Sequence, residues 1–576
     1  MNYKLVCYFT ALLCALSGWS ASHAASLHQT FQLPPLERIP PEHPLYTQLH
    51  NSQAMRKLAQ TDVQFTQLED PDRFSEQLAA TILAELSPAQ PPIGAEASDP
   101  ALAWFTGTSV LFQGTTAKEL QMVINVTPIN ARIVVQTSHL ALESPVRLRE
   151  GQAVVGLNSE ITGPSDAPAF IADGIRQFSL SGLRIHGADV AVWVRNSGHF
   201  LLQRIELQDN RRGIVIQGNS QYGLVEHIHA HGHADSALTL AGPVQHILVR
   251  YSRFDHGTDY FNWHAGAVLT DTPWEDDWHD ETAFQAQAVR TGVLANAPTA
   301  PHHNLFTHNS FSMNRASGLY VDGGVANVIR ANEFHGNDKE GVCLDGGALF
   351  NIVMDNTVTG NGFRLKQADD ELAADFVLAL GRGPDGGSVA KLPGISMDNA
   401  ALNQLVANRI QGNAGDGIKM VRAAFRNLIL FNSILDNNLG SNSKFHFFGV
   451  LIGYAKLDHA DEQNLYDAFP SSENIIAGNT IYGAHHSAVL LDHGAAFNDI
   501  YNNVLYKFRF QPVESASREF NSIVDNASPR AAEKPRWLWE HRIELLLALL
   551  ILLQAGMILF RFFFHPTLNA SVAGHV

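Results

Sequence analysis

The sequence predicts an all-β chain wound as a parallel solenoid of about 22–24 residues per coil. Three observations predict it. GLYVDGG at 318–324 returns as GVCLDGG at 341–347, 23 residues on. Short alternating runs recur at that unit, or at that unit plus an insertion: VWVR to Arg195, IVIQ to Gln217, LTLA to Ala241, LYVD to Asp322, VCLD to Asp345, ISMD to Asp398, IKMV to Val421 and VLLD to Asp492. A second series runs out of phase with the first. Its members, such as ANEFHGN and ANRIQGN, open on Asn309, Asn332, Asn356, Asn408, Asn432, Asn479 and Asn502.

Each run is too short for a helix and alternates with the strand period of two. A repeat of this length cannot bury its apolar face alone, so successive units must stack. Stacked coils sit about 4.7–4.9 Å apart, which turns equivalent residues into ladders. Leu319, Val321, Val342, Leu344, Ile395, Met397, Ile418 and Met420 would face inward. Asn suits the bends because it tolerates left-handed backbone and bonds its neighbours. A leucine-rich solenoid would need a regular Leu frame with helical returns, and neither is present. Because such a core grows in one dimension, the 576 residues need not divide into several globular domains.

The ends read differently. Residues 1–24, with Lys4 ahead of LVCYFTALLCALSGW and small residues closing at Ala24, have the pattern of an export signal. Residues 25–100 form a helical lead-in and linker: Phe74, Leu78, Ile82 and Leu86 recur four apart, and a Pro/Ala-rich stretch follows. The repeats occupy 101–528 and a juxtamembrane linker 529–542. Residues 543–564 read as a transmembrane helix: no charge falls between Leu545 and Phe560, and Trp537 and Trp539 stand just before the run. A tail, 565–576, completes the chain. These signals together predict an exported chain anchored in a membrane, with its main domain outside the cytoplasm.

A net charge of −17 excludes nucleic acid as a partner. Beyond the signal only Cys343 remains, so neither a disulfide framework nor a Cys-based metal site is available.

The repeats at about 120–525, entered through VTPINARIVVQTSHLALESPVRLREGQAVVGLNSEIT, resemble the right-handed parallel β-helix superfamily of pectate lyases, polygalacturonases and alginate epimerases. The resemblance implies that fold and a carbohydrate ligand. It leaves the reaction open, since one fold hosts several chemistries. The epimerase signature Asp-Pro-His-Asp is absent, and LLDHG at 490–494 is similar only in part to a pectate lyase motif.

Asp322, Asp345 and Asp398 fall on consecutive coils, so their carboxylates would share one column. Two readings stand. Asp-Gly-Gly is a turn formula, in which Asp accepts backbone amides and Gly supplies positive φ. Alternatively the carboxylates serve as acid and base for glycoside cleavage, or as base for a lyase or epimerase with Lys419 assisting. In that case Ca2+ is the cofactor such a row would hold. Insertions at 271–303 and 363–393 flank these strands and would wall a groove, with Trp263, Trp274, Trp278, Tyr320 and Arg422 contacting polysaccharide. The reading these observations favour is a membrane-anchored protein that binds and processes a polysaccharide as lyase, epimerase or glycoside hydrolase. A non-catalytic carbohydrate-binding scaffold with cell-envelope partners is the alternative. A further alternative is periplasmic metal handling: HIHAHGHAD places His227, His229, His231 and His233 at alternate positions, a row suited to copper or zinc.

Overall fold

The computed structural model describes residues 76–80, 107–258, 267–270, 300–363, 392–421, 424–439, 446–453, 471–483, 485–492, 495–516 and 521–528. Their strands form two sheets, one of 13 strands and one of 26, and among the described residues the strands pair in parallel between one coil and the next. A typical coil contributes one strand to the first sheet and two to the second, which in the early coils run together as Ala153–Thr162 and Arg176–His186. Around residue 320 these are Leu305–Thr307, Ser310–Ser312 and Leu319–Asp322. Their Cα partners one coil on are Val328, Glu333 and Val342, each 23 residues later. The chain is a parallel β-helix, as the repeat predicts.

The strand period decides what enters the core. Leu319, Val321, Val342, Leu344, Ile395, Met397, Ile418 and Met420 are all fully buried. Aromatic residues at one level stack along the axis: Phe254 on Phe311 at 5.1 Å and Phe311 on Phe334 at 4.9 Å. Each such side chain contributes roughly 1.5–3 kcal/mol of burial.

The bends are built from pairs of residues. His308, Ala331, Asp355, Ala407 and Phe431 all hold φ between 51° and 56°, a region that costs a non-glycine residue about 1–2 kcal/mol. The next residue is in each case an inward Asn, at 309, 332, 356, 408 and 432. Asn332 shows how it offsets that cost. Its side-chain oxygen accepts the backbone and side-chain N–H of Asn309, at 2.9 and 3.0 Å. Its amide nitrogen donates to the Phe306 carbonyl at 3.0 Å and to Asn356 at 3.1 Å.

Two more such ladders run through Asn304, Asn327, Asn351 and Asn403, and through Asn314, Asn337, Asn361 and Asn413. The sequence series detects one corner of three. At its far end the structure shifts the register by one: Asn503 continues the ladder, while Asn502 holds the bend at φ 55°.

The helix Ala117–Val126 starts at a capping box between Thr116 and Glu119 and sinks Leu120 and Ile124 into the core. Of the expected lead-in, residues 76–80 are helical. They lie on the outer wall rather than at the end of the coil: Leu78 and Ala79 pack with Leu201, Leu224, Leu248 and Leu305, and Glu76 pairs with Arg250 at 2.9 Å.

One expectation is corrected. Among the described residues no helix is long and apolar enough to cross a membrane. The span expected over 543–564 lies outside those residues, as does the export signal at 1–24. The transmembrane helix, the membrane as a partner and an anchored location are accordingly not carried beyond the sequence reading.

Candidate metal centre

The shortest strands of the coil make a wall with two polar columns. Four of these strands are three residues long, and at 160–162 and 184–186 the wall is the end of the longer strands Ala153–Thr162 and Arg176–His186. The middle residue of each three points inward, and Leu140, Ile161, Ile185, Leu207, Ala230 and Phe254 are buried. The flanking residues point outward and fall into register. One column runs His139, Glu160, Arg184, Glu206, His229 and Arg253. The other runs Ala141, Thr162, His186, Gln208, His231 and Asp255.

This register brings Glu206 beside His229 and His231 of the following coil. Ligand atoms of the three lie within 4.8 Å of one another. Glu206 Oε1 is 3.8 Å from His231 Nε2, and the two imidazole rings are 4.6 Å apart. On its other side Glu206 accepts Arg184 Nε at 2.7 Å. That hydrogen bond, and behind it the charges of Arg184, His229 and His231, holds the Glu206 carboxyl below its ordinary range. The carboxylate is therefore in the ionised state a metal needs.

Asp255 stands at the far edge of this set. Its Oδ1 is 3.5 Å from His229 Nε2, and both atoms are buried without a hydrogen-bond partner. Oδ2 pairs with Arg253, and His256 Nδ1 lies 3.5 Å from Oδ1. A second set of the same donor types, His139, Glu160 and His186, also has its ligand atoms within 4.8 Å of one another.

The expected row of four histidines reduces to two. His229 and His231 flank Ala230 on one strand. His227 holds a bend at φ 53° and stacks on Tyr251 at 5.6 Å. His233 is fully buried, its Nδ1 is 3.3 Å from the Asn210 carbonyl, and burial pushes its pKa down to about 4.

Asp322, Asp345 and Asp398 do share a column. Asp322 and Asp345 are Cα partners, and Asp398 follows the paired Leu344 and Met397. Asp345 accepts the Gly346 amide at 2.7 Å and the Tyr320 hydroxyl at 3.1 Å. Burial, then the charges of Asp345 and Asp322, push the Tyr320 pKa well above its ordinary value. Asp322 lies against Gly346, where an added Cβ would come within 1.7 Å of its Oδ1, so the close approach requires glycine. Tyr320, expected to contact polysaccharide in an open groove, is 3% exposed, and Cys343 and Ser396 in the same column are 4% and 7% exposed, so that face is closed at this level. Lys419 is half-buried and lends positive charge to the buried carboxyls of Glu340 and Asp416. Trp263, Trp274, Trp278 and Arg422 lie outside the described residues.

Sequence reasoning missed Glu206 and Asp255. The available signal was the coil unit itself: ELQ, HAH and RFD, at 206–208, 229–231 and 253–255, repeat 23 and 24 residues apart. The expected polysaccharide-processing, membrane-anchored protein is accordingly corrected. No span is found among the described residues, and the carboxylate that the histidine row lacked in sequence is present.

Residues 280–444 match the family model described as periplasmic copper-binding protein (NosD). That is less than a third of the chain, and it lies C-terminal to both His/Glu sets. No curated protein matches. Solved structures similar to the chain are also parallel β-helices that include epimerases and tailspikes. The mannuronan C-5 epimerase AlgE4 A-module of Azotobacter vinelandii is 12% identical with a TM-score of 0.45, over 73% of this chain and 100% of that one. The periplasmic alginate epimerase AlgG is 13% identical with a TM-score of 0.34, over 72% and 85%. The Dettilon tailspike protein is 11% identical with a TM-score of 0.44, over 71% and 68%.

Proposed function

We propose that this β-helix is an extracytoplasmic metal-binding protein that takes a copper or zinc ion on its outer wall through Glu206, His229 and His231. The observation that carries the reading is the convergence of two imidazoles and one ionised carboxylate from adjacent coils to within 4.8 Å. Neutral imidazole suits zinc, copper, iron and nickel, and among divalent ions copper binds nitrogen and oxygen donors most tightly. Closing the three donors to the roughly 2.0–2.1 Å of a metal–nitrogen bond needs only rotation of partly exposed side chains. The family description, periplasmic and copper-binding, agrees with this donor set and with the export pattern of residues 1–24. Ca2+ takes six to eight oxygen ligands. This wall offers one carboxylate and two imidazoles, a set that does not suit it.

Equilibrium dialysis of the full chain against Cu2+ and Zn2+, with bound metal measured by mass spectrometry, tests the reading. Stoichiometric metal in the wild type, reduced by one equivalent in Glu206→Gln and in His231→Gln, supports it. Unchanged stoichiometry in both variants removes these residues from metal binding.

A further inference from the structure

The wall described above carries the same donor chemistry twice. His186 Nε2 is 3.1 Å from Glu160 Oε1 and 3.2 Å from Thr162 Oγ1. His139 is the Cα partner of Glu160 one coil before. The ligand atoms of His139, Glu160 and His186 lie within 4.8 Å of one another. Glu160 and Glu206 occupy the same column two coils apart, which places them about 9–10 Å from each other. Arg184 is the residue between them.

Arg184 does not treat the two carboxylates alike. Its guanidinium donates to Glu206 at 2.7 Å, whereas the ion pair of Glu160 is with His186 at 3.1 Å. A metal ion on Glu206 Oε1 shares that carboxylate with the guanidinium held on Oε2, whereas one approaching Glu160 meets a carboxylate whose close partner is the ligand His186 itself. Competition from an exposed ion pair is a small cost, and it falls on one set only.

We infer that His139, Glu160 and His186 form a second site for a divalent copper- or zinc-class ion, and that Arg184 makes the Glu206 site the weaker of the two. The second site stands on its own geometry. Only the order of affinity rests on the reading proposed for Glu206, His229 and His231. The wall thus binds two ions in sequence, the coil nearer the N-terminus filling first.

Titration of the full chain with Cu2+, and separately with Zn2+, tests both parts. The wild type is expected to bind two equivalents with two resolvable affinities. His139→Gln changes an exposed side chain, so folding is retained, and the variant should lose the tighter equivalent alone. The double variant Glu206→Gln, His231→Gln should keep that equivalent. Arg184→Gln should tighten the weaker site roughly 2- to 5-fold, the equivalent of losing one exposed ion pair, and leave the tighter site unchanged. A single equivalent in the wild type, lost in Glu206→Gln and kept in His139→Gln, would overturn the second site while leaving the first intact. Two equivalents with neither affinity altered in Arg184→Gln would overturn the role of the guanidinium. No bound metal in any variant would overturn both sites together.

Discussion

His229 and Asp255 face each other one coil apart, Nε2 to Oδ1 at 3.5 Å, both atoms buried and neither hydrogen-bonded. Two such atoms are costly when left unmatched. A metal ion on His229 would use the pair, because a ligating imidazole is commonly held by a carboxylate on its other nitrogen. Asp255→Asn is therefore expected to weaken Cu2+ or Zn2+ binding at the Glu206 site by about 10- to 100-fold. Competition titration against a chelator of known affinity measures it. An unchanged affinity would show that Asp255 positions nothing.

The corner residues make opposite predictions for neighbours in the chain. Asn408 accepts the backbone and side-chain N–H of Asn356, both at 3.0 Å, and donates to the Val353 carbonyl at 2.8 Å and to Asn432 at 3.0 Å. Asn408→Ala strips these bonds inside a closed core and is expected to cost about 2–4 kcal/mol. Ala407 holds φ at 55°. Ala407→Gly relieves that strain against a loss of chain entropy and should fall between neutral and about 1 kcal/mol more stable. Denaturant unfolding of the two variants checks the sign of each.

How far the sequence reached depended on run length. Four-residue strands such as LYVD alternate long enough to show which side chains enter the core, and the 23-residue return of GLYVDGG makes the coil countable. Three-residue strands such as HAH do not alternate long enough. Extending period two across HIHAHGH put His227 and His233 on the face of His229, yet the backbone turns left-handed at His227 and again at Gly232. The corner ladders were hidden upstream for a different reason. There Ser197, Ser220 and Ser252 do the work of Asn: Ser220 accepts the Ser197 amide at 3.2 Å, and Ser252 accepts that of Ile228 at 3.1 Å. With Asn210 alone holding such a corner there, and no Asn series to mark the phase, Glu206 and Asp255 could not be aligned with the histidines. The closed face at Tyr320 was equally invisible, because alternation reports direction and not what lies outside.

Asp322 and Gly346 test the turn reading of Asp-Gly-Gly. A Cβ on Gly346 would sit 1.7 Å from Asp322 Oδ1, at a φ of 58°. Gly346→Ala is expected to destabilise the chain by about 1–3 kcal/mol. Part of that cost is the clash alone, so Asp322→Ala placed on top should recover it and leave the backbone strain. The two substitutions would then be non-additive in a thermal-unfolding cycle. Additive effects would mean that the carboxylate moves aside freely and that the column is not tied to the turn.

Buried titratable groups give the solenoid an acid limb and a counter-current to it. Burial pushes His246, His302 and His485 down to about 4. Between that value and the ordinary 6.5 the unfolded chain binds more protons, so stability is intact above about pH 6.5 and is lost as pH falls toward 4. Asp416 runs the other way. Burial raises its carboxyl to about 6, against the Phe448 amide that donates to it at 2.6 Å and the charge of Lys419. The folded chain therefore holds the extra proton between about pH 4 and 6, and ionising Asp416 above that range costs stability. Asp416→Asn keeps an oxygen for the Phe448 amide and removes the charge. It is expected to stabilise the protein at pH 7 by at most about 3 kcal/mol, and to gain nothing below pH 4. Unfolding curves for variant and wild type at pH 4 and 7 measure both ends, and a gain of equal size at both would mean that Asp416 does not titrate in this window.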